Sequence, residues 1–219
     1  MDGGFPIDLI LFGMIAAFLV LRLRSILGRR TGYERPTTAY QPPATPKSPV
    51  IEGRAEPIAQ VVPRVLPDPN SPTGQTLASM QATDPSFNPA GFLNGAEQAF
   101  RMIVDAFAKG DRATLRPLLS DSTYGAFDSA ITEREAAGHT QISELRAIQS
   151  ATVEHAELAG SIAKLTVRFV SDQISYTQDA KGNPVAGTDA VTELVDLWSF
   201  EHDLTARDPV WRLVAATSA

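Results

Sequence analysis

The sequence predicts an α+β domain in its C-terminal part, because segments with helical periodicity come first and segments with strand periodicity follow. The change occurs near Gly138. This order favours helices packed on one face of a curved antiparallel sheet. An apolar run and a Pro-rich segment precede the domain. We therefore predict a single membrane anchor with a basic flank at residues 1–30, a disordered linker at 31–89 and the folded domain at 90–219.

The apolar run at residues 9–21 has the composition of a membrane-spanning helix. Its many Leu, Ile, Phe and Val residues each favour insertion by about 0.3 to 0.6 kcal/mol, whereas a central Asp would cost about 3 kcal/mol. Asp8 lies at the end of the run, where that cost is smaller. The arginines that follow can snorkel, which extends the usable helix to Leu27. We expect residues 7–27 to cross a membrane once.

The charges around this run indicate its orientation. No Lys or Arg precedes it, and the basic residues come after it: Arg22, Arg24, Arg29, Arg30 and Arg35. A cleaved signal peptide has the opposite polarity. The positive-inside tendency predicts an N-terminus outside and a domain in the cytoplasm. The alternative, an amphipathic or core helix, is disfavoured because apolar residues surround the whole helix.

The segment at residues 31–89 has the composition of a disordered spacer. Ten of the sixteen prolines lie between Pro36 and Pro72. Such a chain buries too little apolar surface to offset the entropy of ordering, and its X–Pro steps favour extended conformations. A PxxP ligand is the functional alternative, but Pro-rich linkers match that pattern by chance.

Charge and cysteine content exclude several functions. Residues 90–219 carry eleven basic and eighteen acidic side chains, a net charge of about −7. This balance opposes nucleic-acid binding, which depends on neutralising phosphates. The absence of Cys excludes disulfides, thiolate metal sites and Cys nucleophiles.

Three helices are predicted at the start of the domain. Apolar residues recur at helical spacing over residues 90–109, and Gly110 supplies a stop. A short helix follows over residues 112–119. A third begins after Ser120 or Asp121, which are good N-cap residues, and ends near Gly138.

Four strands are predicted after the helices, in LRAIQSATVEHAEL, IAKLTVRFVS, VTELVDLWSFEHDL and PVWRLVAAT. Alternation in the third strand puts Asp196 on one face with Trp198 and Phe200. If that face is inward, the carboxylate needs a partner, and we predict an ion pair with Arg168 of the neighbouring strand. The alternative is that Asp196 is a polar group that lines a pocket.

Several motifs occur together between residues 84 and 217. They are DPSFNPAGFLNGAEQAFRMIVDAFAKGD, LRPLLSDSTYGAF, ITEREAAG, LTVRFVSDQI, DLWSFEHD and RDPVWRLVA. In this order and spacing the series resembles the C-terminal domain of the mitochondrial import inner-membrane translocase subunit 44 and its alphaproteobacterial TimA relatives. Val210 replaces an Asn that the relatives carry. The hydrophobic anchor and Pro-rich spacer replace the N-terminal region with which the mitochondrial protein engages a chaperone.

The resemblance implies an α+β cone with a large apolar pocket, in a membrane-associated adaptor or scaffold. The features of the family that this sequence matches are the first helix, over Phe92 to Phe107, and residues of two strands. These residues are Arg168 and Phe169 on one strand, and Asp196, Trp198 and Phe200 on a later one. The predicted pocket or core residues are Phe100, Val104, Tyr124, Phe127, Phe169, Asp196, Trp198 and Phe200. The expected location is a bacterial inner membrane. The expected partner is a protein or lipid, in protein translocation or membrane-complex assembly.

The competing function is a cone-fold enzyme that uses acid and base residues of the pocket. His139, His155 and His202 match no HExxH metal motif and no nucleophile signature. His202 and Asp203 are adjacent on a strand and so point to opposite faces. No phosphate-binding loop occurs. We expect no catalytic residues, no metal and no cofactor.

Overall fold

The computed structural model of the protein describes residues 64–218. The predicted anchor and the first part of the predicted linker, residues 1–63, lie outside these residues. The helices are α1 Pro72–Thr83, α2 Pro89–Lys109, α3 Arg112–Leu118 and α4 Asp121–Ala136. The strands are β1 Arg64–Val65, β2 Thr140–Ala159, β3 Ile162–Gln178, β4 Pro184–Asp203 and β5 Arg212–Ser218.

The five strands form one sheet in the order β1, β2, β3, β4, β5. Strands β2 to β5 pair antiparallel, as predicted, but β1 pairs parallel to β2. The sheet is therefore mixed and not purely antiparallel. Strand β1 is only two residues long and lies before the helices in sequence, so no local pattern indicates it.

The predicted linker, residues 31–89, extends too far along the chain, because helix α1 forms within it. The hydroxyl of Ser71 accepts a hydrogen bond from the backbone N–H of Gly74 and caps the helix, while Pro72 occupies its first position. Proline is favoured there because the N–H that it lacks would have no partner inside the helix. Leu77 and Met80 are buried against the rest of the domain. The folded part thus includes residues that the sequence assigned to the spacer.

The predicted helices of the domain are confirmed within two residues at each end. Asn88 caps the start of α2, and Gly110 ends it in the left-handed conformation. Asp111 caps α3, and Ser120 caps α4. Within residues 64–218, no helix combines the length and the apolar character that crossing a bilayer requires.

The core lies between α2 and the inner face of the sheet. Strand β3 alternates as predicted, and its buried side chains are Ala163, Leu165, Val167, Phe169, Ser171 and Gln173. Helix α2 contributes Phe92, Leu93, Ala96, Phe100 and Ile103 to the same core. Helix α1 and strand β1 both contact β2 and so lie on the β2 side of α2. On the opposite side of α2 lie α3, β4 and β5.

Candidate functional site

Four of the predicted pocket residues meet in one aromatic cluster. The ring of Phe100 stacks on Phe169 with centroids 4.5 Å apart, and it contacts Trp198 at 4.6 Å. Trp198 in turn contacts Phe200 at 6.3 Å. All four side chains are buried. Their rings pack together in the interior and so do not line a large open pocket.

Three other predicted residues lie at the edge of this core. Val104, Tyr124 and Phe127 are half-buried and pack against it. Phe127 meets Phe107 edge to face with centroids 4.9 Å apart, and this contact joins α4 to α2. Phe127 is therefore a packing residue between helices, whereas Val104 lines a groove between α2 and β2.

An apolar groove of about 210 Å³ lies beside α2, and we call it the α2 groove. The end of α3, strand β4 and the residue before β5 form its other walls. Its large lining side chains are Phe92, Met102, Leu118, Phe200 and Trp211. Among the residues that line it, Gln98 and Trp211 are the two whose side chains carry an N–H donor.

The floor of the α2 groove consists of aromatic rings in contact with one another, while its rim is open. Phe92 lies between Trp211, with ring centroids 4.7 Å apart, and Phe200, at 6.0 Å. Met102 is 46% exposed. At Gly95 an added Cβ would meet no atom within 4 Å, so the helix surface is bare there. The groove can therefore accept a side chain or a closely approaching backbone.

Sequence reasoning identified Phe200 in this groove but missed the residues opposite it. Trp211 had been assigned to the last strand, although β5 begins only at Arg212. Met102 and Leu118 lie within predicted helices, and neither is among the predicted pocket residues. The available signal was an apolar side chain, Met102, on the polar side of the helical pattern of α2.

A second groove, of about 290 Å³, lies between α2 and the start of β2 and is polar. Two carboxylates line it, and each already has a cationic partner. Asp105 pairs with Lys109 at 2.8 Å, and Glu144 pairs with Arg146 at 2.9 Å. The groove therefore offers no free pair of acidic groups.

The predicted ion pair between Arg168 and Asp196 is wrong. In the ladder between β3 and β4, Arg168 lies opposite Leu197 and Asp196 lies opposite Phe169. Residues directly opposite share a face, so the two charged side chains point to opposite faces of the sheet. Arg168 instead lies 3.6 Å from Glu154 of β2. Asp196 accepts a hydrogen bond of 2.8 Å from the hydroxyl of Ser218.

His155 and His202 have different neighbours. His155 is exposed and lies 3.3 Å from Glu157, and the ring of His202 lies 5.4 Å from that of Trp211. Asp203 is held by the backbone N–H and the hydroxyl of Thr205, and these hydrogen bonds lower the pKa of its carboxyl. Within residues 64–218, no group of three or more His, Asp or Glu side chains could hold a metal ion.

Solved structures with a similar arrangement have little sequence in common with this chain. The intermembrane space region of the chloroplast protein ARC6 is 10% identical, covers 57% of this chain and 95% of its own, and has a TM-score of 0.43. A putative dehydratase of the NTF2-like family from Streptomyces avermitilis is 15% identical, with coverages of 60% and 96% and a TM-score of 0.36. No match was found among curated protein sequences.

The family comparison gives a direct match to the folded part. The model of the Tim44-like domain matches residues 73–218. The match begins inside α1 and ends at the last residue of β5, so it includes the helix that the sequence had assigned to the linker. It also confirms the resemblance to the translocase subunit 44 domain. Because the match covers more than half of the chain, this protein belongs to the family of the Tim44-like domain.

Proposed function

We propose that this protein is a membrane-anchored adaptor that holds an apolar segment of a partner protein in the α2 groove. The observation that carries the proposal is the groove itself, which combines a floor of packed aromatic rings with the exposed side chain of Met102. Methionine adapts its shape to different apolar partners and is common at surfaces that bind several sequences.

The size of the groove favours a polypeptide over a small molecule. Small-molecule sites usually have volumes of about 300 to 1,000 Å³ and enclose most of the ligand. The α2 groove has about 210 Å³ and is open on one side. That space suits one or two large side chains of a helix or loop whose remainder lies outside. Gly95 would let the partner's backbone approach α2 closely.

The charge of the domain disfavours an anionic lipid as the main ligand. Residues 90–219 carry eleven basic and eighteen acidic side chains, which gives a net charge of about −7. Anionic headgroups attract basic segments and repel acidic ones. The membrane would therefore be reached through residues 7–27 and not through the domain surface.

The proposal places the domain in the cytoplasm of a bacterium, connected to the inner membrane by the apolar run. The positive charge after residues 9–21 supports this orientation. The Pro-rich segment before α1 would hold the groove away from the headgroups. Such an arrangement suits protein translocation or the assembly of a membrane complex. The proposed role is binding, with no catalytic step.

Site-specific photo-crosslinking tests the groove. A benzophenone amino acid replaces Met102 in the full-length protein, and native membranes are irradiated. We expect discrete protein adducts, identified by mass spectrometry, that diminish when Trp211→Ala is added. The matched control carries the probe at Ser79, which is exposed on α1. Adducts with lipid alone, or the same proteins at both positions, would contradict the proposal.

Fractionation tests the anchor independently of the groove. Removal of residues 1–28 should move the protein from the membrane fraction to the soluble fraction. If the truncated protein stays with the membranes after an alkaline wash, the single-anchor arrangement is wrong.

A further inference from the structure

Strand β4 is longer than the strand that covers its outer edge. Strand β5 pairs with β4 only from Glu201 to Asp196. On its other side, β4 continues to pair with β3 as far as Pro184. The structure describes no strand beside residues 184–195, which we call the β4 edge. Backbone N–H and C=O groups on such an edge are available to an added strand. Ala190 is an exception, because its N–H donates to the hydroxyl of Thr188 and its C=O accepts from the hydroxyl of Thr192.

The β4 edge is acidic. Residues 182–206 contain no Lys or Arg. Asp189 and Glu193 are exposed, and within residues 64–218 neither forms an ion pair. Glu193 also lies directly opposite Asp172 of β3, and like charges in that position destabilise a sheet. A basic side chain placed beside them would relieve this repulsion.

The same edge exposes apolar side chains. Val185 is 46% exposed and Val191 is 57% exposed. Val191 lies where the ladder is irregular, since the pairing passes from Thr188 opposite Ser175 to Thr192 opposite Gln173. The edge thus alternates between carboxylates and exposed valines. An incoming strand with basic and apolar residues would match both.

We propose that the β4 edge binds an extended basic segment of a partner protein, which adds a strand to the sheet. A second copy of this chain is a poor occupant. Antiparallel pairing of two such edges about Val191 would bring Asp189 of one copy against Glu193 of the other. Edge charges of this kind block self-association, and they also select a partner of opposite charge.

This surface shares no residue with the α2 groove. The adaptor would therefore hold two different segments, an apolar one beside α2 and a basic one along β4. The two proposals are independent, since each can fail without the other.

The test uses full-length protein in phosphatidylcholine nanodiscs and a fluorescent peptide of about ten residues that alternates Lys and Val, a length typical of strands. We expect saturable binding that the double variant Asp189→Asn/Glu193→Gln weakens about three- to tenfold. The control Asp105→Asn/Glu133→Gln removes the same charge elsewhere and should change the affinity less than about twofold.

Two further measurements separate strand addition from general charge attraction. A peptide with the same side chains but alternate N-methylated amides should bind at least about tenfold more weakly, because it cannot complete the ladder. The Lys–Val peptide should also slow amide hydrogen exchange at residues 190–195. Equal binding of the N-methylated peptide, equal loss in the control variant, or unchanged exchange would overturn the proposal.

Discussion

Arg64 and Glu97 form an ion pair that fastens the beginning of the described domain to α2. The Arg64 Nε lies 2.8 Å from Glu97 Oε1, and its Nη2 lies 3.3 Å from Oε2. The glutamate side chain is buried, whereas the arginine is partly exposed. Strand β1 adds only two residues to the sheet. The ion pair between Arg64 and Glu97 is therefore a main contact that holds β1 to the core.

Loss of the arginine should therefore cost more than loss of an ordinary surface charge. We expect Arg64→Ala to lower the free energy of unfolding by about 1 to 3 kcal/mol, because it leaves a buried carboxylate without its cation. Denaturant unfolding of the full-length protein measures this. The double variant Arg64→Ala/Glu97→Gln removes the uncompensated charge and should regain part of the loss. Equal stability of Arg64→Ala and the wild type would show that the pair is not a structural tie.

The position of helix α1 leads to a similar prediction about where the folded domain begins. Met80 is fully buried. Met80→Ala should lower the free energy of unfolding by about 2 to 4 kcal/mol, since it removes buried apolar contacts and leaves a cavity. Ser79→Ala on the exposed side of the same helix should change it by less than about 0.5 kcal/mol. Equal effects at the two positions would mean that α1 is not part of the core.

The sequence predicted the elements whose signals are local. The apolar spacing of α2, its end at Gly110 and the alternation of β3 all depend on near neighbours in the chain. Helix α1 was not predicted, because the many prolines in and before it indicate disorder by composition. Only Pro72 lies within the helix, at the one end where proline is compatible with it. The proline content of the whole segment does not reveal that this one proline stands at the start of a helix.

The candidate site was less predictable because it depends on distances between elements. Alternation indicated that Trp198 and Phe200 share one face of their strand, but not whether their rings leave a cavity or fill it. The register between β3 and β4 places Arg168 and Asp196 on opposite faces, and a shift of one residue would reverse this result. The α2 groove needs Trp211 and Met102 from segments far apart in sequence.

The two tryptophans should respond differently to truncation. Trp198 is buried in the aromatic cluster, so Trp198→Ala should lower the free energy of unfolding by about 3 to 5 kcal/mol. Trp211 is half-buried at the groove, so Trp211→Ala should cost less and should mainly weaken crosslinking at Met102. Thermal unfolding of both variants, beside the crosslinking assay, measures the difference. A near-neutral effect of Trp198→Ala would contradict its place in the core.

Gly187 allows β4 to approach β3 closely. Its φ is +79°, and an added Cβ would lie 2.3 Å from the carbonyl oxygen of Ser175. Gly182 in the preceding turn has a φ of +83° but no atom within 4 Å of the same position. Both substitutions by Ala impose left-handed strain of about 1 to 2 kcal/mol, and only Gly187→Ala adds a backbone clash. Gly187→Ala should therefore be clearly the less stable in denaturant unfolding, and equal losses would refute the close approach.

Arg112 joins α3 to α4 and makes the stability of that pair depend on pH. Its guanidinium donates to Asp128, to the hydroxyl of Thr132 and to both carboxylate oxygens of Glu135, at 3.1 and 3.0 Å. The hydrogen bonds from Arg112 lower the pKa of the Glu135 carboxyl. A carboxyl whose pKa is lowered by folding contributes its full stabilisation at pH values above its unfolded pKa of about 4.3. This contribution is lost as the pH falls through the folded pKa.

Arg112→Ala should consequently lower the melting temperature most at neutral pH. The difference from the wild type should begin to shrink as the pH falls below the unfolded pKa of about 4.3 and should disappear once the pH is below the lowered folded pKa, because Glu135 is then protonated in both proteins. Arg116→Ala is the matched control, since Arg116 pairs with Asp121, whose side chain is 91% exposed. Its melting temperature should stay close to that of the wild type across the same range. A pH-independent difference for Arg112→Ala would mean that its packing, and not its charge, connects the two helices.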